Sequence, residues 1–385
     1  MRIGSMIVRR YKALGKFEEE VSLTTREQGM NSKTRHFDNL SNLVFLFLVL
    51  SISLVLHACG GGGGGGSSAS TVPVANNGCD YVGYNQPLSG SLTGSDPGGR
   101  SLSYSIATNP TNGSLTLTNP TTGQFTYTPN TDARGTDSFT FRVNNGQTSS
   151  NTATYRLVYI PRIMPVGDSI TEGVTLGGNP NQPDPSLRIS YRKKLYELLS
   201  GAGYRIDFVG SLSNGTAAGV PDPDHEGHAG WCDDNSPPCS GSGNFNDSIT
   251  SILNNIPPDM ILLHIGTNQF STDASGVNGI LDKVSAWASS SHPLSVFLAR
   301  IIPSVDGSLQ VTTFNNNVQG IATDRPNIRI FIVDQQAELR SGGDANKADP
   351  LLMGDNLHPN QTGYDRMANR WANSLFASGM LSKCP

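Results

Sequence analysis

Three things are scarce in this chain of 385 residues: charge, long apolar runs and cysteine. Charged residues make up 15% of it and the formal net charge is −4, so there is no basic surplus with which to bind a nucleic acid. No apolar run reaches the ~20 residues that a helix needs to cross a bilayer. The five cysteines show no Cys-x-x-Cys or Cys–His spacing, which argues against a zinc site. The length allows two domains.

The longest apolar run covers residues 43–56, the size of the apolar region in a signal peptide. Lys33 and Arg35 precede it, and Leu-His-Ala-Cys closes it at Cys59. This ending resembles the bacterial lipobox, in which the cysteine is acylated and becomes the first residue of the mature protein. A buried core helix is the alternative interpretation, but the seven glycines that follow Cys59 do not suit it.

We therefore expect a signal peptide at residues 1–58, then the lipidated Cys59 and a flexible Gly/Ser tether at residues 59–78. Signal peptides rarely carry a leader as long as the one here, so Met30 is the expected start of translation. The chain from Cys59 has 19 basic against 26 acidic residues, a formal charge of −7. These features predict an exported protein whose N-terminal lipid anchors it to the cell envelope. In a cell with two membranes, Gly60 after the cysteine favours the outer one.

Four cysteines remain besides Cys59, an even number that suggests disulfides in an exported chain. Cys232 and Cys239 flank a short segment rich in turn-forming residues, so we expect them to pair. Cys79 and Cys384 then pair by elimination, which would tie the start of the first domain to the end of the chain.

Residues 79–160 alternate apolar and polar side chains in short runs, as in Phe139, Phe141 and Val143. Turn signals separate the runs and no helical pattern interrupts them, so we predict a small all-β sandwich. The stretch also resembles the bacterial Ig-like and cadherin-like modules of surface proteins, which serve as spacers, adhesins or carbohydrate binders. Asp96 and Asp137 are possible calcium ligands, but turn and surface roles are the expectation.

Residues 161–385 alternate apolar strands with helices, which predicts an α/β domain whose parallel sheet is covered on both faces. Ligands in such folds bind at the carboxyl ends of the strands. The predicted strands are 162–166, 205–209, 260–265, 296–300 and 328–333, and the predicted helices lie near 191–202, 245–255, 277–290, 309–322 and 361–377.

Four short motifs follow these strands or lie in the last loop. Gly167-Asp168-Ser169 places a serine at a strand-to-helix turn, where its hydroxyl is exposed near free backbone N–H groups. Gly210 ends the second strand, Asn268 follows the third, and Asp355 stands three residues before His358. That last spacing can aim a carboxylate and an imidazole at one point. Each motif alone is weak evidence, because Ser169 can be an N-cap and Asn268 can form an Asx-turn.

Taken together and in this order, the motifs resemble the signature of the SGNH (GDS-type) hydrolases over residues 162–378. The segments HEGHAGW at 225–231 and LHPNQTGY at 357–364 look more narrowly like acetylxylan-esterase-type carbohydrate esterases. The resemblance implies a three-layer α/β fold that removes O-acetyl groups from a polysaccharide such as xylan, without metal or cofactor. Two alternatives stay open: a lipase or thioesterase with the same residues, and a surface adhesin or glycan-binding protein with an inactive SGNH domain.

The resemblance also implies roles for single residues. Ser169 is the nucleophile, His358 its base, and Asp355 orients His358. The N–H groups of Ser169 and Gly210 and the side-chain amide of Asn268 form the oxyanion hole.

For other polar residues we expect substrate-binding or structural roles. His228 and Trp231 are expected at the rim of the site as substrate-binding residues, with Trp231 as a sugar platform. A metal site at His225 and His228 is not expected, since the spacing is not His-Glu-x-x-His. His264, inside an apolar strand, is expected to be a hydrogen-bonded core histidine. Two further expectations are that Arg192 lies on a solvated helix face, and that Gln269, where relatives usually carry Asp, alters the support of the oxyanion loop.

Overall fold

The computed structural model describes residues 72–174, 184–239 and 243–385, which belong to one compact unit. The expected signal peptide, Cys59 and most of the expected tether lie outside the described residues. Within these ranges, no helix combines the length and the apolar character of a membrane span.

The first part of the unit is a β-sandwich built from short strands, along which buried and exposed residues alternate. Its strands are β1 (Val74–Asn76), β2 (Gly78–Val82), β3 (Leu88–Ser91), β4 (Thr93–Ser95), β5 (Ser103–Thr108), β6 (Gly113–Asn119), β7 (Gln124–Pro129), β8 (Thr136–Asn144) and β9 (Ala153–Tyr159). One sheet has the order β2-β9-β8-β5, a second has β3-β7-β6, and β1 pairs with β4. Every second residue of β8 is buried, including Phe139, Phe141 and Val143, so period-two alternation fixes which face of the strand is in the core.

The sandwich begins at Val74, ahead of the expected start at residue 79. The strand β1 has only three residues, which is too short for alternation to be recognised in the sequence. It forms because Val74, Ala75 and Asn76 pair with β4.

The second part contains a main sheet with helices on both faces and, separate from it, a pair of antiparallel strands formed by the last two strands of the chain. Its strands are β10 (Arg162–Gly167), β11 (Asp207–Phe208), β12 (Leu212–Ser213), β13 (Asp224–Gly227), β14 (Met260–His264), β15 (Leu294–Arg300), β16 (Ile328–Asp334), β17 (Arg340–Ser341) and β18 (Asp344–Ala348). Its helices are α1 (Ser169–Glu172), α2 (Arg192–Gly201), α3 (Phe245–Asn255), α4 (Ser275–Trp287), α5 (Val311–Ile321), α6 (Gln335–Leu339) and α7 (Gln361–Ser378).

The main sheet has the order β12-β13-β10-β14-β15-β16, and only the β12–β13 pair is antiparallel. Alternate residues of each central strand enter two different cores. Ile261 and Leu263 face the core shared with α3, α4 and α5, whereas Leu262 faces the core shared with α2 and α7. The predicted three-layer α/β architecture is therefore present.

The strand β13 was not predicted, and it lies next to the central strand β10. Its sequence is Asp-His-Glu-Gly, which has no apolar pattern to reveal it. The predicted strand 205–209 is only two residues long, because β11 pairs with the start of β10 and β13 pairs with its end. The two strands thus follow one another along a single edge of β10.

The sandwich and the α/β part are held together by covalent and polar contacts. A disulfide joins Cys79 of the sandwich to Cys384 of the α/β part, and a second, Cys232–Cys239, closes a loop within the α/β part; both pairs were expected from the sequence. Arg134 of the sandwich forms an ion pair with Asp259. These contacts and the two-residue connection between β9 and β10 limit relative motion of the two parts.

Candidate active site

Ser169 is the first residue of α1, directly after β10. Asp168 caps this helix, and its Oδ1 accepts a hydrogen bond from the N–H of Ile170 at 3.0 Å. A Cβ on Gly167 would stand 2.2 Å from the carbonyl oxygen of His264, so only glycine lets the turn approach β14 this closely. Ser169 is 6% exposed, so its turn is less open than the sequence suggested.

The structure brings Ser169, His358 and Asp355 together across 189 residues of sequence. Ser169 Oγ lies 2.8 Å from Nε2 of His358, and Nδ1 of the same ring lies 3.0 Å from Asp355 Oδ2. Asp355 Oδ1 also accepts from the backbone N–H groups of Leu357 and His358, both at 2.7 Å. The three-residue step from Asp355 to His358 is thus a hydrogen-bonded turn that fixes the carboxylate against the imidazole.

Gly210 and Asn268 follow β11 and β14, the two strands that pair with β10 on its opposite edges. A Cβ on Gly210 would stand 2.0 Å from the carbonyl carbon of His225, which excludes any side chain there. The Asn268 side-chain amide donates one hydrogen bond, to the carbonyl oxygen of Trp231 at 2.9 Å. An amide nitrogen carries two hydrogens, so the second is left for another acceptor.

The two residues expected to bind substrate contact each other. His228 stacks on Trp231 with ring centroids 3.9 Å apart, and its Nε2 donates to Glu226 at 2.7 Å. Phe245 packs against the same indole. Since His228 covers one face of Trp231, less of the indole is open to a sugar ring than the platform hypothesis assumed.

A buried ionic cluster lies beneath the nucleophile turn, and the sequence analysis missed it. Glu172 pairs with Arg188 and accepts from the N–H of Ala229 at 2.7 Å. Arg192 is fully buried and donates to the carbonyl oxygens of Glu172 and Pro223, so its placement on a solvated helix face was wrong. Burial lowers the pKa of Arg192 to about 10. Helical periodicity alone could not reveal that this arginine faces inward to bind carbonyl groups.

Two buried histidines also lie near the turn. Burial, with the nearby Arg192, lowers the pKa of His225 to about 2, and burial lowers that of His264. Neither nitrogen of His264 has a hydrogen-bond partner among the described residues, which contradicts the expected hydrogen-bonded role. His225 Nδ1 accepts from the N–H of Gly227, and His228 is held by Glu226. Across the described ranges, no three His, Cys, Asp or Glu side chains are grouped as metal ligands.

Gln269 supports the loop that carries Asn268. Its side-chain nitrogen donates to Asp234 Oδ1 at 2.8 Å, inside the loop closed by the Cys232–Cys239 disulfide. The amide thus links the Asn268 loop to the disulfide loop by a hydrogen bond that an aspartate at this position could not donate.

Two cavities border the described residues. One of about 780 Å³ lies where Arg134 of the sandwich meets Met260, Leu294 and Ile328, at the amino ends of their strands. The other, about 320 Å³, borders Asp355. We place the chemistry at the carboxyl ends of the strands despite the larger volume elsewhere, because the nucleophile–base geometry is found there.

The fold is that of the SGNH class of hydrolases, with a sheet of mainly parallel strands covered by helices on both faces. The chain belongs to the GDSL-like lipase/acylhydrolase family, whose family model matches residues 163–371, just over half of its length. The model of a bacterial Ig domain matches residues 70–158 and corresponds to the sandwich.

Three known proteins are similar to parts of the chain. A multidomain esterase of Ruminococcus flavefaciens is 28% identical over 241 residues, which make up 56% of this chain and 28% of that relative. The crystal structure of a carbohydrate esterase family 3 protein from Talaromyces cellulolyticus is 23% identical, covers 57% of this chain and 98% of its own, and has a TM-score of 0.43. Human protocadherin-24 EC1-2 is 13% identical over 25% of this chain and 54% of its own, with a TM-score of 0.20. The chain spans less than a third of the esterase relative.

Proposed function

We propose that this protein is an exported serine esterase that removes O-acetyl groups from a polysaccharide through an acyl-enzyme. The observation that carries the proposal is the continuous hydrogen-bonded line from Ser169 through His358 to Asp355, with Oγ and Nε2 2.8 Å apart. A serine hydroxyl at its ordinary pKa is a weak nucleophile, and an imidazole at this distance removes its proton as it attacks.

Acylation begins when Ser169 Oγ attacks the acetyl carbonyl carbon and His358 Nε2 takes the hydroxyl proton. The tetrahedral intermediate collapses as His358 returns that proton to the oxygen of the sugar, which leaves as an alcohol. The acetyl group then remains on Ser169. Asp355 holds the imidazole in the required tautomer and stabilises its cationic form.

Deacylation repeats these steps with water. His358 takes a proton from the water as its oxygen attacks the acetyl carbon, and then returns the proton to Ser169 Oγ as acetate leaves. In both steps the oxyanion is bound by the N–H groups of Ser169 and Gly210 and by the second hydrogen of the Asn268 amide. One such donor is worth about 3 kcal/mol of barrier.

A polysaccharide substrate is supported by the resemblance of residues 225–231 and 357–364 to acetylxylan-esterase-type enzymes. The name of the multidomain esterase relative agrees with an ester substrate. The Ig-like module and the two disulfides suit a protein that works outside the cytoplasm.

Hydrolysis of long-chain esters is the second candidate function. Two exposed apolar side chains favour it: Phe270, two residues after Asn268, is 61% exposed, and Leu351, four residues before Asp355, is 83% exposed. Exposed apolar side chains that are close in sequence to site residues could contact an acyl chain.

Acetate release from a panel of acetylated glycans tests the proposed function, with 4-nitrophenyl acetate and octanoate as small esters. We expect release from at least one glycan, and a higher kcat/KM for the acetate than for the octanoate. The reverse preference would support the long-chain candidate. No hydrolysis of any ester would support a binding protein with an inactive SGNH domain.

We also propose that Cys59 carries the lipid and that the Gly/Ser-rich residues 60–70 let the folded part reach substrate beyond the membrane surface. Acylation supplies the apolar chains that hold such an anchor. Mass spectrometry of the mature N-terminus and membrane fractionation of Cys59→Ser test this. We expect an acylated Cys59 in the wild type, and release or loss of processing in the variant. An unmodified N-terminus elsewhere would contradict the anchor.

A further inference from the structure

Glu226 connects the segment between β11 and β12, which contains Gly210, with the loop of His228 and Trp231 that contacts Asn268. It lies in β13 and is 1% exposed. Its Oε2 accepts from the N–H of Ser211 at 2.7 Å, and its Oε1 accepts from Ser211 Oγ at 2.9 Å and from His228 Nε2 at 2.7 Å. A buried carboxylate that accepts three hydrogen bonds is held in place, because displacing it would leave a buried charge without donors.

The first connection runs from Glu226 to Gly210. The N–H of Ser211 belongs to the peptide plane between Gly210 and Ser211, so Glu226 fixes the orientation of that plane. Gly210 is also pressed against His225, the residue before Glu226, at a distance that excludes a side chain. The N–H of Gly210 itself belongs to the preceding peptide, and it lies between two anchored positions. The N–H of Val209 donates to the carbonyl oxygen of Ile163 at 2.9 Å, and the N–H of Ser211 donates to Glu226.

The second connection runs from Glu226 to Asn268 through two residues. Glu226 orients the ring of His228, which stacks on Trp231 at 3.9 Å. The carbonyl oxygen of Trp231 accepts one hydrogen of the Asn268 amide, and that bond directs the second hydrogen. The backbone of the same loop is bound to the nucleophile turn, because the N–H of His228 donates to Gly167 at 2.8 Å.

The charge of Glu226 agrees with this role. Burial alone would raise the pKa of its carboxyl, but the hydrogen bonds from His228 and Ser211 outweigh burial and hold the pKa below its usual value. The group is therefore ionised in the working pH range, and it accepts from all of its donors.

We infer that Glu226 is a positioning residue that aligns two donors of the oxyanion hole, the Gly210 N–H and the Asn268 amide. This inference rests on the proposed function. By this inference, strand β13 and the stacked pair of His228 and Trp231 contribute to binding of the transition state. They do not bind the sugar directly.

The test measures kcat and KM on 4-nitrophenyl acetate for the wild type, Glu226→Gln and Glu338→Gln, per mole of protein shown to be folded by circular dichroism. Glu338→Gln is the matched control, because it breaks an ion pair with Arg370 on helices α6 and α7. We expect Glu226→Gln to lower kcat about 10- to 100-fold with KM within a factor of about two, because small misplacements of transition-state contacts cost this much. The control should keep wild-type kcat.

A double-mutant cycle separates positioning from general destabilisation. In an Asn268→Ala background, Glu226→Gln should cost at least about three-fold less in kcat than in the wild type, because one of the two donors it aligns is already absent. Equal costs in both backgrounds would overturn the role through Asn268.

His228→Phe covers the case in which Glu226→Gln does not fold. It keeps the stack on Trp231 but removes the bond to Glu226, and we expect kcat to fall about three- to ten-fold with KM unchanged. Wild-type kcat in His228→Phe, or in a folded Glu226→Gln, would overturn this inference and leave the proposed function standing. A wild-type protein that hydrolyses no ester would overturn both.

Discussion

Two buried aspartates, one in each part of the molecule, differ in how fully their carboxylate oxygens are hydrogen-bonded. In the sandwich, Asp137 accepts from the backbone N–H groups of Thr111, Asn112 and Ser138 and from the hydroxyl of Tyr127. In the α/β part, Asp168 is fully buried, and its Oδ2 has no hydrogen-bond partner among the described residues.

The residues next to the two aspartates show the same difference in hydrogen bonding. Tyr127 and Tyr159, beside Asp137, share a hydrogen bond of 2.6 Å. Near Asp168, neither ring nitrogen of His264 has a partner within the described ranges. An unpaired buried polar group costs about 1–3 kcal/mol, so the unpaired Asp168 Oδ2 beside Ser169 is a local cost that the rest of the fold must offset.

From this difference we expect the buried polar groups of the sandwich to serve stability, and those beside Ser169 to serve the geometry of its turn. Changes near Ser169 should therefore affect activity more than stability, and changes at Asp137 should do the opposite. The four predictions below test this contrast in order of decreasing effect.

Ser169→Ala should reduce ester hydrolysis at least about 10⁴-fold, because the covalent route is lost. The melting temperature should stay within about 2 °C, since only a hydroxyl is removed. Kinetics on 4-nitrophenyl acetate and thermal unfolding measure the two effects. Ser285→Ala, on helix α4, is the matched control and should keep full activity. Near-normal turnover by the Ser169→Ala variant would show that Ser169 is not the nucleophile.

Asn268→Ala should reduce kcat about 10²- to 10³-fold with little change in KM, as expected for the loss of one oxyanion donor. Its hydrogen bond to Trp231 is also lost, so a small decrease in melting temperature accompanies the effect. Steady-state kinetics separate kcat from KM. A variant that changes KM alone would place Asn268 in substrate binding and not in the oxyanion hole.

Asp137→Asn should destabilise the protein by about 1–3 kcal/mol at pH 7 and leave kcat unchanged. Burial raises the pKa of Asp137, but the backbone hydrogen bonds outweigh burial and lower it in the folded state. The stability that the carboxylate contributes is therefore complete above its ordinary pKa and is lost as pH falls through the lower folded value. Thermal unfolding of both proteins from pH 7 to pH 3 should show the difference shrinking. A difference that grows toward low pH would contradict this assignment.

Chelators should have the smallest effect. We expect EDTA to leave kcat unchanged, because the line from Ser169 to Asp355 needs no metal. Activity before and after dialysis against EDTA is the measurement. Loss of activity that a divalent ion restores would revive the metal hypothesis at His225 and His228, whereas a lower melting temperature alone would point to calcium in the sandwich.

The sequence predicted the elements with strong patterns. The alternation at Phe139, Phe141 and Val143 located β8, and the apolar runs located β10, β14, β15 and β16 within about two residues. The sequence did not predict the elements that form through tertiary contacts and lack a local hydrophobic pattern. The strand β13 is polar, yet it lies at the centre of the site because β10 supplies its hydrogen bonds.

What the sequence determined by itself was the order of the parts, the fold class and the cysteine pairs, and it supplied the residues that we propose for the site. Hydrophobic periodicity and turn chemistry are local properties, so they can be read from neighbouring residues. Only the tertiary structure decided how Glu226, His228 and Trp231 contact one another and that Arg192 is buried. It also decided that Asp168 Oδ2 and both nitrogens of His264 lack partners among the described residues. Polar side chains bond to whatever the fold brings within about 3 Å, and that distance depends on segments far apart in the chain.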